Sequence, residues 1–150
     1  ALQHPLLASL GIEPLDDAFD AKWLKRELAG LKAAIKPVLM DSHRIVGIGN
    51  IYATESLFRA GINPRTAAGK ISLERLGRLV PVIKATLRAA IDAGGSSLRD
   101  FIQSDGSSGY FQQQYFAYGR TGQACRVCGQ AIKEIKQAQR TTFYCTRCQR

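Results

Sequence analysis

All four cysteines of this chain fall in its last 26 residues, as Cys125-Arg-Val-Cys128 and Cys145-Thr-Arg-Cys148, with sixteen residues between the pairs. A Cys-x-x-Cys turn presents two thiolates to one side, and two such turns a hairpin's length apart can close a tetrahedron around one Zn²⁺. Four thiolate ligands leave no open coordination position, so the spacing predicts a single structural zinc held by Cys125, Cys128, Cys145 and Cys148. Other readings compete with it. Disulfides suit short secreted scaffolds, a thioredoxin-type redox pair belongs beside a βαβ pattern, and an iron–sulfur cluster draws on the same ligand type.

The 150 residues are 45 % hydrophobic, enough for one modest core, and a metal would stabilise an appendage too small to hold itself together. The apolar runs are far shorter than a membrane span and no charged-then-apolar leader opens the chain, so the expectation is a soluble intracellular protein. Net charge is +9 and unevenly placed. Residues 1–20 carry −4, residues 21–105 carry +7, and residues 106–150 carry +6. Zinc bound by four thiolates lowers the total by two and leaves the tail basic, as suits a surface that neutralises phosphates.

Along the chain, Pro5, Gly11 and Pro14 interrupt short apolar clusters, so residues 1–17 read as a linker laid over a surface. Asp20 is an expected N-cap for a first helix, whose buried stripe is Leu24, Leu28, Leu31 and Ile35. A short second helix is expected from Pro37 to about Asp41. Gly47-Ile-Gly49 then forms a tight turn into a helix that Gly61 closes. The turn suits an anion, because helix-initial N–H groups are unpaired and glycines admit close approach. A simpler reading makes Asn50 an N-cap beside structural glycines. Ser72 should cap a long helix through about Ala93, with Leu76, Leu79, Val80, Ile83, Leu87 and Ile91 buried and a kink at Pro81. Residues 104–111 are rich in Gly and Ser and read as a mobile loop. Strands are expected at Ala131–Lys136 and Thr141–Cys145. Phe19, Trp23 and Leu24 read as packing residues.

Nearly the whole chain resembles the C-terminal half of bacterial formamidopyrimidine-DNA glycosylase. The resemblance rests on Lys36-Pro-Val-Leu-Met-Asp41, Gly47-Ile-Gly-Asn-Ile-Tyr-Ala-Thr-Glu-Ser-Leu-Phe58, Ser104-Asp-Gly-Ser-Ser-Gly-Tyr-Phe-Gln112, Tyr118-Gly-Arg120 and Gln139-Arg-Thr-Thr-Phe-Tyr-Cys145. It implies a mainly α fold: a helix-two-turns-helix DNA-binding domain over residues 18–120, followed by a β-hairpin zinc finger over 121–150. Residues 1–17 would then be a linker from an absent N-terminal catalytic domain. The implied parent is a base-excision-repair glycosylase and AP lyase acting on 8-oxoguanine and formamidopyrimidines. It would work as a monomer on damaged duplex DNA, in the bacterial cytoplasm at the nucleoid.

Carried over residue by residue, the resemblance makes Asn50 and Arg140 phosphate contacts. Gly47 and Gly49 become backbone donors, and Lys36 and Tyr118 lie close to DNA. It also makes Asp105, Gly106, Ser107, Ser108, Gly109 and Tyr110, within a loop of about 104–113, the readers of an extruded purine. The family's nucleophile is an N-terminal proline amine. This chain starts Ala-Leu-Gln-His-Pro, and the amide nitrogen of internal Pro5 has no nucleophilic lone pair. The chain is therefore expected to be a fragment, inactive alone, with no catalytic residue of its own. Two other functions compete. One is the same portion of an endonuclease VIII-type enzyme for oxidised pyrimidines, which the Ser104–Phe111 loop disfavours. The other is a zinc-ribbon module that never carried catalysis.

Overall fold

A computed structural model describes residues 11–94 and 115–150. The first helix among the described residues, α1, spans Ala21–Leu28, and the Asp20 carboxylate caps it by accepting the Trp23 N–H at 2.8 Å. It stops about two turns short of the expected end at Ile35. Gly30 takes a left-handed φ of +79°, and the chain turns away there, so Leu31 and Ile35 do not extend the α1 stripe. Instead Ile35 opens α2, Ile35–Leu39, and Pro37 occupies its first turn, where no N–H is needed.

Helix α3 spans Asn50–Ala60 and ends on Gly61 at φ +75°, in the left-handed cap expected of it. A 3₁₀ turn at Ala68–Lys70 leads to α4, Leu73–Gly94, where Ser72 Oγ accepts the Arg75 N–H at 3.2 Å. Pro81 sits inside α4 without ending it. The carbonyl that Pro81 leaves without its partner is that of Gly77, and both residues are exposed, so water can bond it. The buried face of α4 runs through Leu76, Leu79, Val80, Ile83 and Leu87. Ile91 is 56 % exposed and lies off it, contrary to the periodicity.

One core joins these helices around Phe19, Leu24, Leu28, Ile35, Leu39, Leu57, Ile62, Leu76 and Leu79. Trp23 packs at its edge with its ring T-shaped to Phe19. Residues 11 and 12 are stitched in as well: Gly11 N–H donates to Ser42 O at 2.7 Å, and Val46 N–H donates to Ile12 O at 2.8 Å. A Cβ on Gly11 would fall 2.1 Å from the Arg44 backbone, which restricts this position to glycine.

The C-terminal hairpin pairs β1, Lys133–Gln137, with β2, Arg140–Tyr144, in antiparallel register from Lys133↔Tyr144 to Gln137↔Arg140. Its two-residue turn puts Ala138 and Gln139 at φ +49° and +67°, the hairpin geometry that usually selects glycine or asparagine. A second core of Phe58, Ala117, Cys125, Ile132 and Cys145 lies beneath the hairpin. Phe58 comes from α3, so that helix contributes to both cores.

Candidate nucleic-acid interface and metal centre

The start of α3 meets the hairpin at an edge built by Lys36. This residue is 1 % exposed on α2. Its ammonium donates to Asn50 Oδ1 and, at 2.7 Å, to Thr142 Oγ1 on β2. Asn50 Nδ2 in turn donates to Thr141 O at 3.0 Å. Asn50 is thus not the N-cap. Gly49 occupies that position with no side-chain cap, which leaves the first N–H groups of α3 unclaimed by a capping side chain. Burial first, and the charge of Arg140 second, lower the Lys36 pKa to about 8. Its two bonded acceptors are an amide and a hydroxyl, and neither supplies the negative charge a buried ammonium calls for.

Arg140 stands exposed at the hairpin tip, on the rim of a cleft of about 270 Å³ that Lys36, Pro37, Met40, Gln137 and Ala138 complete. Gln137 fixes the tip by donating to Pro64 O at 3.1 Å while its Oε1 accepts from Thr142 Oγ1 at 2.8 Å. Gly47, at φ +81°, has a backbone that L side chains rarely adopt. At both Gly47 and Gly49 an added Cβ would meet nothing within 4 Å, so the space beside this turn is open.

Tyr118 stands apart from this edge. It belongs to a turn, not to the end of a strand, and its ring packs on Phe143 at 5.1 Å and on Tyr115 at 5.7 Å. Burial, with Tyr52, Glu55 and Tyr118 nearby, pushes the Tyr115 pKa up to about 12. Asp105, Gly106, Ser107, Ser108, Gly109 and Tyr110, with the rest of 104–113, lie outside the described residues.

Sequence reasoning passed over Glu55. This carboxylate on α3 is 3 % exposed and accepts the backbone N–H groups of Phe116, Ala117 and Tyr118 at 2.7, 2.8 and 2.9 Å. It clamps the chain entering the finger onto the helix that Asn50 begins. Gln149 fastens the far side: its Oε1 accepts from Cys145 N at 2.8 Å, and its Nε2 donates to Ile62 O at 3.0 Å. An acid inside an otherwise small-and-apolar helical run was the available signal for Glu55, whereas no pattern marks Gln149.

The four cysteine sulfurs lie within 4.8 Å of one another. Cys125 and Cys148 are 3.8 Å apart, and Cys128 and Cys145 are 3.5 Å apart. Thiolates about 2.3 Å from a tetrahedral zinc are about 3.8 Å apart, whereas a disulfide needs about 2.05 Å. The set therefore fits Zn²⁺. Burial opposes a thiolate at Cys125, but N–H groups of Cys128 and Val127 prevail and bring its pKa to about 7. Burial and the neighbouring thiols push Cys148 up to about 12. Four adjacent sulfurs do not ionise together unaided, and a divalent cation is what permits it.

Comparison with known proteins agrees with this architecture. Residues 10–102 match the family described as the formamidopyrimidine-DNA glycosylase H2TH domain, and residues 122–150 match the zinc finger found in FPG and IleRS. The chain belongs to the formamidopyrimidine-DNA glycosylase family, with a helix-two-turns-helix domain and a finger that binds one structural zinc. Formamidopyrimidine-DNA glycosylase of Aromatoleum aromaticum is 58 % identical over 149 residues, covering 99 % of this chain and 55 % of the relative. That of Cupriavidus pinatubonensis is 58 % identical over 146 residues, covering 97 % and 51 %. The chain thus spans about half the length of the curated relatives it matches. Among solved structures, the MutM (Fpg) protein of Thermus thermophilus superposes with a TM-score of 0.82 at 39 % identity, over 97 % of this chain and 55 % of that one. Lactococcus lactis Fpg in complex with DNA containing an abasic site gives a TM-score of 0.82 at 36 % identity, over 96 % and 53 %.

Proposed function

We propose that this chain is the DNA-gripping portion of a base-excision-repair glycosylase and AP lyase that acts on oxidised purines. The observation that carries the proposal is the edge where Lys36, Asn50 and Arg140 meet. It combines a buried cation bonded to neutral acceptors, uncapped N–H groups at the start of α3 and an exposed guanidinium at a hairpin tip. Such an arrangement is built for phosphate oxygens. Asn50 and Arg140 would hold the backbone beside a lesion. Gly47 and Gly49 would donate from the open turn, and Lys36 would supply charge behind them. Tyr118 would act one layer back through its packing on Phe143. The Asp105–Tyr110 segment would read an extruded base, by likeness of sequence alone. The Lactococcus protein's binding of abasic DNA supports the same reading.

Zinc supplies no chemistry here beyond holding the hairpin, because four thiolates leave it no exchangeable position. The chain's own part is positioning. Strand cleavage by this family's chemistry needs an amine that attacks C1′ and stays bonded as an iminium. The Lys36 ammonium is held between Asn50 and Thr142 and is not free to swing toward a sugar. Borohydride trapping on abasic-site duplex is the test. The expected result is binding without a covalent adduct. An adduct formed at the rate of a full-length family member would place catalysis within this chain.

A further inference from the structure

The end of α3 away from Asn50 carries a second charged surface. The helix has eleven residues, so its two ends lie about 15 Å apart at ~1.5 Å per residue. Here the last turn of α3, α4 and the first zinc knuckle border an open groove of about 800 Å³, lined by Phe58, Arg59, Arg78, Phe116, Val127 and Cys148 among others. Its floor is aromatic: Phe58 and Phe116 stack at 5.3 Å with ring planes 19° apart. The Arg59 guanidinium lies over the Phe116 ring at 5.4 Å and that of Arg126 at 5.9 Å. Arg78 spends part of its fork on Ala60 O, with both bonds at 3.4 Å. Val127, on the knuckle between Cys125 and Cys128, is 67 % exposed.

We propose that this groove docks an acidic segment of a partner protein, seating one apolar side chain against Val127 while carboxylates meet Arg59 and Arg78. Among the described residues no carboxylate lines the groove. The ion pairs among the described residues both use Arg44, so among those residues no carboxylate pairs with Arg59 or Arg78. An exposed apolar residue beside the cationic guanidinium groups of Arg59 and Arg78 favours a ligand that is anionic and apolar together. A nucleobase fits less well, because Phe58 takes one face of Phe116 and the guanidinium groups lie over the ring as well. The site is also at the opposite end of α3 from the edge proposed for phosphates, so both can be filled at once.

The test uses the zinc-loaded chain and a short fluorescent peptide rich in Asp and Glu with one central Leu, followed by anisotropy with and without saturating duplex DNA. Binding should persist in the presence of duplex and be unchanged by Arg140→Ala. It should weaken about tenfold in the Arg59→Glu/Arg78→Glu double variant, as expected for reversal of two interfacial charges. Val127→Ser should weaken it several-fold while keeping the backbone N–H that bonds Cys125 Sγ. Displacement of the peptide by duplex, or equal sensitivity to Arg140→Ala, would assign its binding to the phosphate edge and overturn the proposal. So would absence of binding. Loss of zinc from the double variant would show that the arginines serve the metal centre, and concentration-dependent dimerisation would show that a second copy's acidic Glu13–Asp20 stretch is the occupant. Because the peptide is followed apart from DNA, failure here leaves the proposed function standing.

Discussion

Lys36 is buried with an ammonium that touches only an amide oxygen and a hydroxyl, and its pKa falls to about 8 from an ordinary 10.5. The consequence for stability has a definite sign. Between about pH 8 and pH 10.5 the unfolded chain binds more protons than the folded one, so stability rises with pH through that window. Below pH 8 the full penalty of the buried charge is present. Replacing Lys36 with Met should remove this increment. The measurement is denaturant unfolding of zinc-loaded wild type and Lys36→Met across that window. Parallel pH dependences in the two proteins would contradict the assignment. A phosphate at the same edge would stabilise the charged form and offset the penalty.

Not every residue of the proposed site is equally legible in the sequence. Asn50 and Arg140 carried signals in their own neighbourhoods, a glycine turn before a helix and a basic residue at a hairpin tip. The hydrogen-bond network behind them did not, because Thr142 and Gln137 come together with Lys36 only once β2 lies along α3. The end of α1 was misread because Leu31 and Ile35 continue a 3.6-residue period. Gly30 breaks the backbone while the side chains stay apolar for packing of their own. Ile91 failed in the opposite way: it keeps the period of α4 after the buried face has ended.

At the scale of elements, α3 organises the molecule. Its first residue bonds the hairpin, its middle holds Glu55, and its last turn meets Gly61, whose carbonyl accepts the Arg150 N–H at 3.1 Å. Glu55 is the strongest of these links, since three N–H groups converge on one buried carboxylate and charge-assisted bonds exceed neutral ones. Glu55→Gln keeps the shape but sets an NH₂ group against those donors. It should cost about 2 kcal/mol, within the range for losing a hydrogen bond to a buried charged group. Urea unfolding reads this directly, and a change within experimental error would mean that the clamp is dispensable. The zinc spacing and the helical periods were visible in sequence because both are local. The clamp joins positions 61 to 63 residues apart and was not.

The described residues of the molecule form two cores sharing one helix, the larger made by helices and the smaller by the hairpin and the cysteine knuckles. Zinc organises the second. Structural zinc contributes ~10 kcal/mol or more to such fingers, and a hairpin of two five-residue strands has little to replace it. Chelation should therefore release the hairpin and leave most helical circular dichroism intact, since the larger core contains no cysteine. Loss of helix in step with zinc would show instead that Glu55, Lys36 and Gln149 couple the two cores into one cooperative unit.

The edge formed by Lys36, Asn50 and Arg140 is proposed to grip phosphates, and the salt dependence of duplex binding reads that grip. Affinity of the zinc-loaded chain for duplex DNA should fall linearly on logarithmic axes as salt rises. Arg140→Ala should weaken all sequences alike and reduce the slope by about one phosphate equivalent. Unchanged slope and affinity in Arg140→Ala, with the finger still holding its zinc, would contradict the claim.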